Sequence, residues 1–169
     1  MATAAQFAGV LSRALGLSEG RIGWCATSLR TAGYLRSSQG VPIDLANSEL
    51  ALVLIAALLG TPAGSTAGRV MQYARLVSDG GCTLADSIAG LLDRPADLVR
   101  LTIDITQPAA VLIIEGDGET HVGHFGPPEA DFSRCSILSG DNLSKIQRMV
   151  RALPLKRAGR PQNRARYAV

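Results

Sequence analysis

The chain is short of charge, of aromatic rings and of cysteine, and each shortage narrows what it can be. Of its 169 residues 18% are charged and 4% aromatic, while 47% are hydrophobic. Chains that stay disordered combine few apolar residues with high net charge, so this one is expected to fold, as one ordinary domain or a small domain with an appendage. Cys25, Cys82 and Cys135 are odd in number, far apart and without CxxC spacing, which argues against a disulfide framework or a zinc site and predicts reduced, mostly buried thiols. The apolar run Leu50 to Leu59 is ten residues long, half of the roughly twenty that a membrane-spanning helix needs, and reads as a buried helix. No basic segment followed by an apolar core and a cleavage site opens the chain, so the expected location is cytoplasmic, with no membrane partner.

Signals for catalysis are also missing. The glycines form neither GxGxxG nor GxxxxGK[ST], which removes support for nucleotide binding. His121 and His124 lie three apart on a strand-like segment, with Glu119, Asp131 and Cys135 near in sequence. Residues three apart on a strand point to opposite faces, so a shared metal or nucleophilic site is not expected. Asp79, Asp86, Asp93 and Asp97 read as helix caps and solvated positions. The expectation is a protein without enzymatic activity and without a cofactor.

What the sequence does contain is helical pattern at its start and two-residue alternation in its second half. Phe7, Val10, Leu11, Ala14 and Leu15 recur at helical spacing until Gly16, predicting a helix that ends near Leu15. Ser18 is a plausible N-cap for a second helix over about Ser18 to Ala32, carrying Ile22, Cys25, Ala26 and Leu29 inward before Gly33. Only Gly16 and Leu17 separate the two, so they turn sharply on a residue that tolerates left-handed backbone. Tyr34 to Arg36 and Val41 to Ile43 flank a polar turn at Ser37, Ser38, Gln39 and Gly40 and read as a small wing.

Asn47 or Ser48 is expected to cap the apolar helix Glu49 to Leu59, and Ala67 to Val77 and Thr83 to Leu92 read as two further helices. From Leu98 the period becomes two: Val99, Leu101, Ile103 and Ile105 alternate with Arg100, Thr102, Asp104 and Thr106. With Ala110 to Glu115 and Thr120 to Phe125 this predicts an antiparallel meander over 98–125. Ser144 to Leu153 reads as a short helix stopped by Pro154. No internal repeat is found.

The expected fold class is α+β, and the expected organisation has four parts. Residues 1–60 form a helix-turn-helix head with a wing, 61–97 a helical connector, 98–155 a β-rich body with a short helix, and 156–169 a basic flexible tail. Charge follows that division. Residues 1–60 carry four basic and three acidic residues, 61–155 eight and eleven, and the tail five and none. Lys156, Arg157, Arg160, Arg164 and Arg166 can neutralise phosphates, bind an acidic protein partner, or merely be solvated.

The joint pattern "GLS" at 16–18, helix, and "AGYLR" at 32–36 resembles the winged helix-turn-helix of bacterial regulators, over about residues 8 to 45. The resemblance implies a recognition helix at Ser18 to Ala32 that enters the major groove of duplex DNA. It places Ser18, Glu19, Arg21, Trp24, Thr27 and Ser28 on the reading face, Arg30 and Arg36 near phosphates, and Ser37, Ser38 and Gln39 at the wing tip. Arg30 to Gly60 further resembles uncharacterised prophage and mobile-element proteins of alphaproteobacteria, which implies a setting of that kind. Gly20 and Gly23 each cost the helix about 1 kcal/mol, and the head is weakly basic, so a homo-oligomer with paired heads is expected.

These readings converge on a DNA-binding protein of phage or mobile-element type, most plausibly in transcription regulation. Two alternatives stay open: a small terminase-like ring adaptor that recognises a packaging site, which shares the order of parts, and a protein-binding module whose basic tail docks on an acidic partner.

Overall fold

The computed structural model describes residues 2–36, 43–60, 66–94, 97–116, 118–127 and 134–153. The class is mixed α and β, as expected: six helices with a two-stranded and a four-stranded antiparallel sheet among those residues.

The first strand, β1 (Ala2–Thr3), runs into α1 (Ala4–Leu15), and Thr3 serves both. Its hydroxyl accepts from the Gln6 backbone N–H while the Gln6 side chain accepts from the Thr3 N–H at 3.0 Å, a reciprocal cap that satisfies two helix-end donors. α1 ends where predicted: Gly16 adopts φ 69° and donates to the Ser12 carbonyl at 2.9 Å. Ser18 then caps α2 (Glu19–Thr31), its hydroxyl accepting from the Arg21 N–H.

The strands expected around the wing differ. Tyr34 to Arg36 join no ladder; Leu35 is instead buried as an anchor. Of the return segment Val41 to Ile43 only Ile43 is described, outside any strand; the strand is β2 (Asp44–Leu45), just beyond it, and it pairs antiparallel with β1. The backbone donors and acceptors of Ala2 and Thr3 thus supply the ladder that local pattern assigned to Tyr34 to Arg36. Ser37, Ser38, Gln39 and Gly40 lie outside the described residues.

The helix α3 (Asn47–Leu59) is buried from Glu49 to Leu59 on every side, as its uninterrupted apolar run requires. Its N-cap is Ala46 rather than Asn47 or Ser48. The Glu49 carboxylate reaches back to the Ala46 N–H at 2.8 Å and does what a capping side chain would. Around α3 pack α2, α4 (Thr66–Ala74) and α5 (Leu84–Asp93), the last capped by Thr83 as expected.

The meander is present as β3 (Leu98–Asp104), β4 (Ala110–Gly116) and β5 (Glu119–Phe125). Leu101 and Ile103 face inward as predicted, but the pairing shifts between Leu98 and Arg100, and this irregularity buries Leu98 and turns Val99 out to solvent. A strand that sequence reading missed, β6 (Cys135–Ser139), pairs with β3 and gives the order β5-β4-β3-β6. α6 (Gly140–Arg151) starts four residues earlier than expected, capped by Ser139. A Cβ at Gly140 would collide with the Leu98 carbonyl oxygen, so the chain passes from β6 into α6 only because this residue has none.

Long-range bonds join the two halves. Ser136 donates to the Leu58 carbonyl at 2.6 Å, Gln147 to the Leu92 carbonyl at 2.9 Å, and α1 packs against α6. Asp104, expected on the outward side of its strand, is fully buried, and its carboxylate accepts from the backbone N–H groups of Thr106 and Gln107 and from both their side chains. The Tyr73 hydroxyl donates to the carbonyls of Asp104 and Gln107, both at 2.7 Å. Of the thiols only Cys25 is buried; Cys82 and Cys135 are exposed, because one lies in a turn and the other on the open face of the sheet. No described helix is long and apolar enough to cross a membrane.

Candidate nucleic-acid interface

The outward face of α2 is set by what its other face buries. Ile22, Cys25, Ala26 and Leu29 fill the core, and the helical period then turns Gly20, Trp24, Thr27 and Thr31 outward. Trp24 is 67% exposed, a large aromatic surface held where the fold makes no use of it.

Beside it runs a groove of about 360 Å³ lined by Ala4, Ala5, Gly20, Gly23, Trp24, Ala26, Thr27 and Arg30. Its floor is made by absence. Ala4 and Ala5 are the first residues of α1, and a Cβ at Gly23 would meet nothing within 4 Å. The two glycines that weaken the helix are therefore what keeps this face low enough for close approach by a rigid backbone or a flat ring.

The sequence-predicted contacts divide sharply. Trp24, Thr27 and Arg30 come together on the groove. Thr27 also donates its hydroxyl to the Gly23 carbonyl at 3.0 Å. Ser18 is occupied as the α2 cap, and Ser28 is half-buried. Arg21 lies on the other flank, its guanidinium beside Gly60 at the C-terminal end of α3, where a cation is favoured by the helix dipole. Glu19 is exposed at the first turn of α2.

Arg36, assigned to phosphate, is exposed but tied to the start of α3. Its backbone N–H and Nε donate to Glu49 at 2.6 and 2.8 Å, its Nη2 pairs with the same carboxylate at 2.7 Å, and Nη2 also donates to the Asp44 carbonyl. Burial opposes the charge on Glu49, but the bonds from Arg36 and Ala46 outweigh it and hold the carboxyl below its ordinary range. Arg30, by contrast, has no ionic partner among the described residues. The sequence could not separate the two arginines, because the partner of Arg36 is thirteen positions away.

Ser37, Ser38 and Gln39, and the tail residues Lys156, Arg157, Arg160, Arg164 and Arg166, lie outside the described residues. His121 and His124 are exposed on β5, three registers apart opposite Ile114 and Val111, and no group of three potential metal ligands occurs among the described residues. No protein-family model, curated protein or solved structure matches the chain.

Proposed function

We propose that the chain is a non-enzymatic protein that binds double-stranded DNA through the outward face of α2, acting as a homo-oligomer in transcription regulation of phage or mobile-element type. The observation that carries this reading is the unpacked face of α2 itself: Trp24, Thr27 and Arg30 stand over a glycine- and alanine-floored groove on the second of two helices joined by a three-residue connection. Its support includes the clasp of β1 with β2, which brings Asp44 and Leu45 back to the start of α1. Arg30 supplies the charge for phosphate or a guanine edge, Thr27 a hydroxyl donor, and Trp24 an apolar contact.

The reading is narrower than the sequence alone suggested. Arg36 and Ser18 now shape the head, and Arg21 sits to one side. A single free arginine on the face makes a weak reader, which is why a second head is part of the proposal.

The test is fluorescence anisotropy on labelled duplexes taken from a gel-shift selection, run with the full chain and with residues 156–169 deleted. Trp24→Ala and Arg30→Ala are expected to weaken binding about tenfold each, and Arg30→Ala to lower the salt slope by about one. Unchanged binding in the double variant, or binding lost only with the tail, would sink this role for α2.

A further inference from the structure

The four-stranded sheet has a covered face and an open one. Leu101, Ile103, Leu112, Leu138 and Phe125 are buried on the first, and Ser136 reaches α3 from it. The alternate residues point the other way. Arg100, Ile113, Val122 and Ser139 form one row across the open face, and Thr102, Val111, His124 and Ile137 the next.

Solvated faces of antiparallel sheets usually carry polar residues. Here Val122 is 52% and Ile137 55% exposed; Val122, Ile113 and Val111 adjoin one another on β5 and β4, and Ile137 lies across Thr102 on β6. Glu115 lies on the same face, one pleat beyond Ile113 on β4. Neither Arg100 nor Glu115 has an ionic partner among the described residues.

The order β5-β4-β3-β6 makes this face its own complement. A two-fold axis running along the strands, between two stacked sheets, exchanges β3 with β4 and β5 with β6 and keeps each row opposite itself. Arg100 of one copy then stands over the partner's Ile113, with its guanidinium directed at the partner's Glu115. The axis repeats that pair, so two opposite-sign contacts stand side by side on the central strands at the Arg100 end of the rows.

We infer that the open face of this sheet is where two copies of the chain stack, with Arg100 and Glu115 fixing the alignment. Sheets that pack this way keep their strands within about 30° of each other, close enough to preserve both pairings. Four strands span about 19 Å at the usual strand spacing, a small interface, so the dimer is expected to dissociate in the micromolar range. The inference deepens the oligomer half of the proposed function, but it stands on the sheet and not on α2.

Sedimentation equilibrium of the full chain without DNA tests it, over micromolar to hundred-micromolar loading. The expected mass rises toward twice 17.7 kDa. Arg100→Glu and Glu115→Arg, each checked for folding by circular dichroism, are expected to raise the dissociation constant about tenfold. Combined, they reverse the pair and restore the dimer. A wild-type mass of one chain throughout overturns the inference, as does a ring-sized mass, since a two-fold stack closes at two. Single exchanges without effect, or a double exchange that fails to restore association, overturn it as well and leave the face to a different protein. Because no DNA is present, failure of α2 as a reader cannot produce or mask any of these results.

Discussion

Glu49 holds Arg36 by its backbone and its side chain at once, with N–H to Oε1 at 2.6 Å and Nε–H to Oε2 at 2.8 Å. The same carboxylate accepts from Ala46 at 2.8 Å, so one buried group ties the end of the α2 loop to the start of the most buried helix. An arginine with the sequence context of a DNA contact is in this fold part of the frame that presents α2.

Glu49→Ala is expected to destabilise the protein by about 1 to 3 kcal/mol, because it leaves two backbone donors without their acceptor. Arg36→Ala removes only the side-chain bonds of an exposed guanidinium and is expected to be milder. Urea unfolding followed by circular dichroism measures both. Equal losses would mean that the ion pair, not the backbone capping, carries the effect.

Stability should fall in acid. Burial opposes ionisation of both Glu49 and Asp104, yet hydrogen bonds from Arg36 and Ala46, and from Thr106 and Gln107, hold both carboxyls below their ordinary values. A depressed folded-state pKa contributes stability that is complete above the unfolded value and lost as pH falls through the folded one. Urea midpoints should thus be flat down to about pH 4.3 and decline below it. Glu49→Gln should flatten part of that decline, and a profile with the same slope as wild type would contradict the assignment.

Tyr73→Phe removes one hydroxyl that serves two carbonyls, those of Asp104 and Gln107. The expected cost is about 1 to 3 kcal/mol, with faster amide exchange at residues 104–109. A neutral substitution would show that solvent reaches this turn.

Gly140→Ala should be among the most damaging single-methyl changes in the chain, since the new Cβ meets the Leu98 carbonyl oxygen. Forcing β3 and α6 apart is expected to cost about 1 to 3 kcal/mol. Gly23→Ala, which adds the same methyl where nothing lies within 4 Å, should instead stabilise α2 by about 1 kcal/mol while shallowing the groove. Thermal melts of the two variants give the comparison.

Trp24 is the sole tryptophan of the chain, so its emission reports on α2 alone. Acrylamide should quench it readily in the free protein, and a saturating duplex should shield it. Tight DNA binding that leaves the quenching unchanged would move the interface away from this helix.

Much of the fold was legible in the sequence because it is written in local terms. Helical spacing placed α1 and α2 and an apolar run α3, Gly16 and Ser18 marked the turn between the first two, and two-residue alternation found β3, with β4 and β5 following from the apolar run and the turn after it. These signals depend on backbone geometry and on burial of one face, both carried by neighbouring residues.

What only the tertiary structure decided depends on partners far along the chain. Local pattern could not show that Ala2 and Thr3 capture Asp44 and Leu45, that an irregularity in β3 turns Val99 outward, or that β6 completes the sheet. Nor could it tell Arg36 from Arg30, one bound to a buried carboxylate and the other left on the groove. Periodicity says which way a side chain points. Whether it then meets a partner or solvent is settled by packing, and here that left Trp24, Thr27 and Arg30 on the groove.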